Sequence, residues 1–251
     1  MQKDNIFRNH ILDLARRSYD NSIFTFTDFL SEAEIAELYA MEKEISFAGF
    51  GLFGGCENCE RCMCRFGNPK EMGYETAYPI KCLHIAPSSF KFAETLTHRD
   101  WLGALMNLGI ERELTGDIIC REKEAFIFVE EHIADYICEN LASVRHTAVV
   151  PEICDEVPES TFVRLQDMLI LASSERLDGI ISKVFDLSRS ESSKLFAEGR
   201  VFINGRAALN SSIVCRENDR ISVRGFGKFI YSGPEKVSKK GRLYIKITRY
   251  C

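Results

Sequence analysis

The sequence contains no run of about 18 or more apolar residues, so it offers no helix that could cross a membrane. Its N-terminal residues mix charged side chains with apolar ones and lack the apolar segment and cleavage site of a secretory signal peptide. We therefore expect a cytoplasmic protein with no membrane partner.

Motifs of catalysis are also scarce. The chain has no GxxxxGK[ST] phosphate-binding loop, and its Ser, His and acidic residues form no nucleophile signature. The glycine-rich stretch at residues 49–55 is not followed by the strand-helix-strand unit that binds a methyl donor. These absences predict a protein that is not an enzyme.

The chain does have length, cysteines and an uneven distribution of charge. Its 251 residues are enough for two or three domains, and ten cysteines without an export signal favour reduced thiols or metal ligands over disulfides. From residue 171 onward there are 16 Lys and Arg against 8 Asp and Glu, whereas the whole chain has a net charge of -5. A basic C-terminal unit on an acidic body is typical of a protein that binds a polyanion through one face.

Residues 1–78 are predicted to be an N-terminal α+β region. Apolar spacing predicts helices up to about residue 45, and Ser31 with Glu34 forms a capping-box pattern at a helix start. Strands are expected at residues 47–53 and 63–66, on either side of a cysteine-rich turn.

Residues 79–150 show the order β-α-β-β-α-β, which predicts a ferredoxin-like (RRM-like) domain, an arrangement shared by many RNA-binding modules. Its first helix is expected to begin after Thr97, with Asp100 completing a capping box, and to end at Gly109. The acidic segment PEICDEVPES begins a predicted linker over residues 151–173.

Residues 174–251 are predicted to be a small α/β domain with a basic tail. Ser188 and Glu191 cap the second of two helices, and Asn204-Gly205 marks a hairpin turn. Arg189 lies in the first turn of that helix, where free backbone amides favour a phosphate. The candidate RNA-binding residues of this unit are Arg176, Lys183, Ser188, Arg189, Lys194, Arg200, Arg206, Arg224 and Lys228.

This unit resembles the small RNA-binding domain named after ribosomal protein S-four. The shared pattern comprises Arg176-Leu177-Asp178, Ser188-Arg189, Gly199, Val201, Ile203-Asn204-Gly205, Asp219, Ile221 and Val223. The resemblance implies binding to structured RNA. It also implies that the contact positions are Arg176, Ser188, Arg189, Lys194, Arg200 and Arg224.

Over nearly its whole length the chain is similar to the bacterial YlmH-type family, on the segments LTHRDWLGALMNLGIERELTGDI and SVRGFGKF. The resemblance implies an α+β protein that binds the large ribosomal subunit, its rRNA and tRNA, in quality control of stalled complexes. We expect a monomer. For His98 and Arg99 two interpretations stay open, a phosphate contact at the helix N-terminus or simple exposure beside a cap.

Two other functions, RNA modification and a role in cell division, are alternatives. The RLD sequence at Asp178 also occurs around the catalytic Asp of pseudouridine synthases, which would make the chain an RNA-modifying enzyme, but the Thr/Ser-Gly and the large catalytic domain of those enzymes are missing. A role in cell division through protein partners is a weaker implication of the family resemblance.

The segment GGCENCERCMCRFG carries Cys56, Cys59, Cys62 and Cys64, four thiols that could hold zinc. Their spacings of 3, 3 and 2 lack the second, distant Cys-x-x-Cys of most structural zinc sites. Cys82 and His84 are the plausible outside ligands, and the Cys-Pro ending of an iron–sulfur pattern is absent. Zinc is thus a possible cofactor, with reduced thiols as the alternative.

Overall fold

The computed structural model describes residues 2–159 and 165–250 of the protein. The chain forms two compact units, Met1–Phe162 and Val163–Cys251. Both combine helices with antiparallel sheets, so the predicted α+β class is confirmed. In the described part of the chain, no helix is long and apolar enough to span a membrane.

The N-terminal part of the first unit packs helices against a small sheet with strand order β1-β3-β2. Its elements are α1 (Gln2–Asn21), β1 (Thr25–Phe26), α2 (Glu32–Ala40), α3 (Glu42–Ile45), β2 (Phe50–Phe53), β3 (Met63–Phe66) and α4 (Pro69–Met72). The backbone amide of Ser31 donates to the Glu34 carboxylate at 2.7 Å, so the predicted capping box is present at the start of α2.

The rest of the first unit is a five-stranded antiparallel sheet with order β5-β6-β4-β8-β7. Its elements are β4 (Ile80–Pro87), α5 (His98–Asn107), a 3-10 turn (Arg112–Leu114), β5 (Thr115–Arg121), β6 (Glu124–Glu130), α6 (Glu131–Asn140), β7 (Ser143–Val144) and β8 (Thr147–Ile153). The predicted β-α-β-β-α-β order is therefore present, with the short β7 added at one edge.

The second unit is one six-stranded antiparallel sheet with a helix pair, in the strand order β11-β10-β12-β13-β14-β9. Its elements are β9 (Leu165–Ala172), α7 (Leu177–Val184), α8 (Arg189–Ala197), β10 (Val201–Ile203), β11 (Arg206–Ala207), β12 (Arg220–Val223), β13 (Gly227–Val237) and β14 (Leu243–Tyr250). One apolar core joins the sheet to the helix pair, with Leu177, Ile180 and Ile181 fully buried.

Two features of the second unit differ from the sequence-based expectation. The predicted linker over residues 151–173 is wrong for residues 151–153, which belong to β8, and for residues 165–172, which form β9 and pair with β14 along their whole length. Its residues 160–164 lie outside the part of the chain that the structure describes. The predicted basic tail is not an appendage either, because β13 and β14 pair with each other as a hairpin and β14 also pairs with β9. The β9–β14 pairing joins residues about 80 positions apart, so no local pattern in the sequence reveals it.

Candidate nucleic-acid interface

The two helices of the second unit pack against each other, and two buried hydroxyl groups fix them in place. The Ser182 hydroxyl donates to the Leu187 carbonyl at 2.6 Å, and the buried Ser192 hydroxyl donates to the Asp178 carbonyl at 2.7 Å. Asp186, with φ of +52°, turns the chain between the helices. This arrangement places the N-terminal ends of α7 and α8 at fixed positions.

A first group of predicted contact residues lies around the buried carboxylate of Asp178. The Arg176 guanidinium donates two hydrogen bonds to it, at 3.2 and 2.9 Å, and the Gly179 amide donates a third at 2.8 Å. Burial raises the pKa of Asp178, but the bonds from Arg176 and Gly179 and the charge of Arg189 together hold that pKa below its usual value. Asp178 is therefore an ionised structural carboxylate that aligns Arg176, and Arg189 lies beside them.

The N-terminus of α8 is capped by the chain itself. The Glu191 amide donates to the Ser188 hydroxyl at 3.2 Å, and the Glu191 carboxylate accepts from the Ser188 amide at 2.8 Å. The predicted capping box is present, and it occupies amides that a phosphate would otherwise use. Arg189 is exposed and donates to the Ser173 hydroxyl at 3.1 Å. Its guanidinium is thus the group at this end that a phosphate can reach.

A second group lies around Glu198, just after α8. Its carboxylate is 3.7 Å from the Lys194 ammonium and 3.3 Å from the Arg200 guanidinium. Arg200 also donates to the Arg224 carbonyl at 2.6 and 3.1 Å. The Arg224 guanidinium lies 4.5 Å from the centre of the Phe202 ring. Arg224 is exposed, so the edge of its guanidinium remains open to solvent.

The structure therefore divides the nine predicted residues by role. Arg176, Ser188 and Arg200 mainly hold neighbouring parts of the unit, whereas Arg189, Lys194 and Arg224 present exposed cations at two places on it. Lys183, Arg206 and Lys228 lie on α7, β11 and β13, outside these two groups. The Arg249 guanidinium lies 5.3 Å from the centre of the Phe185 ring, at the turn between the two helices. Arg249 is absent from the predicted contact residues because its segment was predicted to be a tail.

In the first unit, His98 and Arg99 open helix α5 as predicted. The Thr97 amide and hydroxyl both donate to the Asp100 carboxylate, at 2.8 and 2.7 Å, and this box fixes the start of the helix. The side chains of His98 and Arg99 are exposed. Exposure alone is consistent with both interpretations, a phosphate contact or a position beside a cap.

The sheet of the first unit is covered on both faces. Alternate residues of β6 point to opposite sides: Ile127 and Val129 pack under α5 and α6, whereas Phe126 and Phe128 pack against the cysteine-rich turn. Phe126 is 6% exposed and Phe128 is 0% exposed. RNA-binding domains of this topology commonly stack bases on aromatic residues of an open sheet face. Here the described residues leave no such aromatic platform exposed on that face.

The cysteine-rich turn is anchored by Asp117 on β5. The backbone amides of Glu60 and Arg61 donate to its carboxylate at 2.7 and 3.0 Å. The Arg61 guanidinium reaches the Thr115 carbonyl at 2.9 Å and is itself half-buried. The segment from Gly54-Gly55 to Glu60-Arg61 is therefore a rigid loop that closes this face of the sheet.

The four clustered cysteines do not converge on one point. The Cys56 and Cys59 sulfur atoms are 3.3 Å apart in the core beneath the sheet, whereas the Cys64 thiol is buried in the core around α1. Met63 and Cys64 are adjacent on β3 and therefore face opposite sides. The Cys62 thiol instead lies 3.6 Å from the Cys59 carbonyl.

The two outside candidates differ in their surroundings. Cys82 lies in the same core as Cys56, and burial followed by the neighbouring Cys154 thiol raises its pKa. His84 is engaged by Glu124 at 3.0 Å and stacks on Phe126. Across residues 2–159 and 165–250, no three His, Cys, Asp or Glu side chains are arranged to hold a metal ion.

We expect protein purified without chelator to contain well under one zinc ion per chain, because Cys64 cannot share a tetrahedral site with Cys56 and Cys59 in this fold. Elemental analysis by mass spectrometry measures this directly. One zinc per chain that is lost in both Cys62→Ser and Cys64→Ser variants would show that the four-cysteine site exists after all.

Comparison with known proteins adds evidence for both units. Residues 74–155 match the family model described as "Putative RNA-binding domain in YlmH". The chain is 27% identical to the "Ribosome-associated protein quality control protein P2" of Bacillus subtilis (strain 168), over 97% of this chain and 94% of that protein. The resemblance to YlmH-type proteins that the sequence predicted is thereby confirmed, while the resemblance of the second unit to the S-four domain stays a prediction.

A solved structure, "Cell division protein ylmH from Streptococcus pneumoniae", has a similar fold with a TM-score of 0.50 and 22% sequence identity. The similarity covers 61% of this chain and 92% of that one. At this level of identity the match concerns the fold alone. It therefore carries no argument for a role in cell division.

Proposed function

We propose that this protein is a non-catalytic RNA-binding factor of the ribosome, which binds large-subunit rRNA and tRNA during quality control of stalled large-subunit complexes. The observation that carries the proposal is the pair of exposed cationic groups on the second unit, around Asp178 and around Glu198. Guanidinium and ammonium groups held at fixed places on a rigid helix pair suit the phosphates of a folded RNA.

Two further findings support the same function. The match of residues 74–155 to a family model described as a putative RNA-binding domain supports RNA contact by the first unit as well. The similarity to a protein named for ribosome-associated quality control extends over almost the whole chain, so it includes both units. Binding through an S-four-like second unit and an RRM-like first unit belongs to this proposal.

The proposal also accounts for the acid at the RLD sequence without an enzymatic role. The Asp178 carboxylate accepts three hydrogen bonds and is only 8% exposed, so it is engaged in holding Arg176 and the first turn of α7. A nucleophilic carboxylate needs an open approach for its substrate. An RNA-modifying activity thus has no observation in its favour at this residue.

Reversing the charge at Arg189 and Lys194 together (Arg189→Glu with Lys194→Glu) should weaken binding to ribosomes by at least about tenfold and flatten its dependence on salt, because fewer counterions are released. Co-sedimentation with purified large subunits over a series of salt concentrations measures both quantities. The matched control is Lys43→Glu with Lys70→Glu, which changes the net charge equally at exposed positions of the first unit.

Unchanged sedimentation of the Arg189/Lys194 variant, with circular dichroism showing an intact fold, would refute this assignment of the contact surface. Equal weakening by the control pair would instead attribute binding to net charge.

A normal set of rRNA modifications in a deletion strain is also expected, and a single missing modification would contradict the non-catalytic assignment.

A further inference from the structure

The closed sheet face of the first unit raises the question of where residues 74–155 contact RNA. The aromatic side chains that could stack bases, Phe126 and Phe128, are buried beneath the cysteine-rich turn. That turn is held by the Asp117 carboxylate and the Arg61 guanidinium. A base cannot reach this face without breaking those bonds, so RNA must contact a different surface of the domain.

An open groove lies on the helix-covered side of the same domain. The groove is bordered by helix α5, the end of α6 and the β7–β8 turn, and its volume is about 520 Å³. This volume lies in the range of small-molecule sites, about 300 to 1,000 Å³. Its polar lining consists of Arg99, Asp100, Asn107, Asn140, Ser143 and Arg145, and Leu108 and Leu141 contribute apolar surface.

One end of the groove is cationic. Arg99 is exposed in the first turn of α5, and Arg145 occupies the tip of the β7–β8 turn with φ of +53°. The two-residue turn between Val144 and Thr147 requires this left-handed conformation, and it holds Arg145 at the tip of the hairpin. Asp100, 3.4 Å from Arg145, balances one of these two positive charges, so two guanidinium groups against one carboxylate leave the lining with a net positive charge.

The other end of the groove offers neutral hydrogen-bonding groups. Asn107 ends α5 and Asn140 ends α6, and both side chains are exposed. The Asn140 amide nitrogen donates to the Tyr136 carbonyl at 2.8 Å, which leaves its oxygen as an acceptor. Arg99 and Asn107 are eight residues apart on one helix, and this spacing corresponds to a rise of about 12 Å along the helix axis. That length is about the distance from the phosphate of a nucleotide to the edge of its base.

We propose that this groove binds one unpaired nucleotide of single-stranded RNA, with Arg99 and Arg145 on the phosphate and Asn107 and Asn140 on the edge of the base. Guanidinium groups bind phosphate oxygens in a bidentate manner, and amides pair with the exposed edges of unstacked bases. The inference rests on the proposed function, because it assigns a ligand to the first unit of an RNA-binding protein.

The test uses the full chain and an unstructured, fluorescein-labelled oligoribonucleotide, with binding followed by fluorescence anisotropy. Replacing both arginines (Arg99→Ala with Arg145→Ala) should weaken binding by at least about tenfold and lower the salt slope by about 0.7, the value for one phosphate of a single strand. The matched control is Arg121→Ala with Lys123→Ala, which removes the same charge at the β5–β6 turn.

A second variant separates base contact from charge. Asn107→Leu with Asn140→Leu should reduce the difference in affinity between oligouridine, oligocytidine and oligoadenosine, while the salt slope stays unchanged. Emission from Trp101, the single tryptophan and a buried residue of α5, shows whether each variant keeps its fold.

Equal binding by the wild type and the Arg99/Arg145 variant would overturn the groove as the site. No binding of single-stranded RNA by the wild type would overturn it as well. In either case, loss of ribosome binding in the Arg189/Lys194 variant would leave the proposed function standing. If the wild type does not bind ribosomes at all, the proposed function fails independently of the groove.

Discussion

Replacing Gly55 by alanine should lower the free energy of unfolding of the first unit by about 3 kcal/mol or more. Gly55 has φ of +105°, a conformation that residues with a side chain rarely adopt, and a β-carbon there would lie 2.2 Å from the Phe128 ring. Because Phe128 is fully buried, neither side can move away at small cost. Urea unfolding followed by Trp101 fluorescence measures the loss in this unit specifically.

Gly73 provides the matched control for this substitution. It also has positive φ, +74°, but a β-carbon would meet nothing within 4 Å. Gly73→Ala should therefore lose only the backbone preference, about 1 kcal/mol. Equal losses in the two variants would mean that the turn does not pack on Phe128 as described, and the sheet face would then be open to RNA.

Replacing Glu130 by glutamine should stabilise the first unit at pH 8 by about 2 kcal/mol. Burial, together with the nearby Asp28 carboxylate, raises the pKa of Glu130 to about 7. The unfolded chain therefore loses this proton at lower pH than the folded chain, and wild-type stability falls as the pH rises from about 4.5 to about 7. Glutamine keeps the shape of the protonated acid and has no proton to lose there.

The adjacent Glu131 serves as the control for this prediction. Its side chain is 58% exposed and pairs with Lys81 on the surface, so Glu131→Gln should change stability by less than about 0.5 kcal/mol at any of these pH values. The measurement is again urea unfolding followed by Trp101 fluorescence, at pH 4.5, 6 and 8. A Glu130→Gln variant with the same pH slope as the wild type would show that another group is responsible. The exposed His132, 3.1 Å from Glu130, would then be examined first.

The two proposals assign different modes of RNA binding to the two units. The second unit presents cations on a rigid helix pair, which suits the backbone of folded RNA. The first unit has closed the face on which related topologies stack bases and offers a groove of mixed charge and amides instead. A shape-reading unit joined to a nucleotide-holding unit would let one chain recognise a particular state of a large RNA assembly.

The sequence by itself determined features that depend on a few neighbouring residues. Ser31 with Glu34, Thr97 with Asp100 and Ser188 with Glu191 each form the expected box, since a cap needs only a hydroxyl and an acid three positions apart. Asn204 has positive φ in the predicted hairpin turn for the same local reason. The β-α-β-β-α-β order of the second part of the first unit and the basic character of the second unit also follow from the sequence alone.

Only the tertiary structure decided which polar and cysteine side chains are free and which are engaged. Arg189 and Arg200 look equivalent in the sequence, yet Arg200 is bound to a carbonyl 24 positions away while Arg189 remains exposed. Cys59 and Cys64 lie in one short motif, but strand alternation and distant partners send their thiols into separate cores. Strand β9 and the closed sheet face likewise depend on pairing and packing between distant segments, whose energies no local pattern contains.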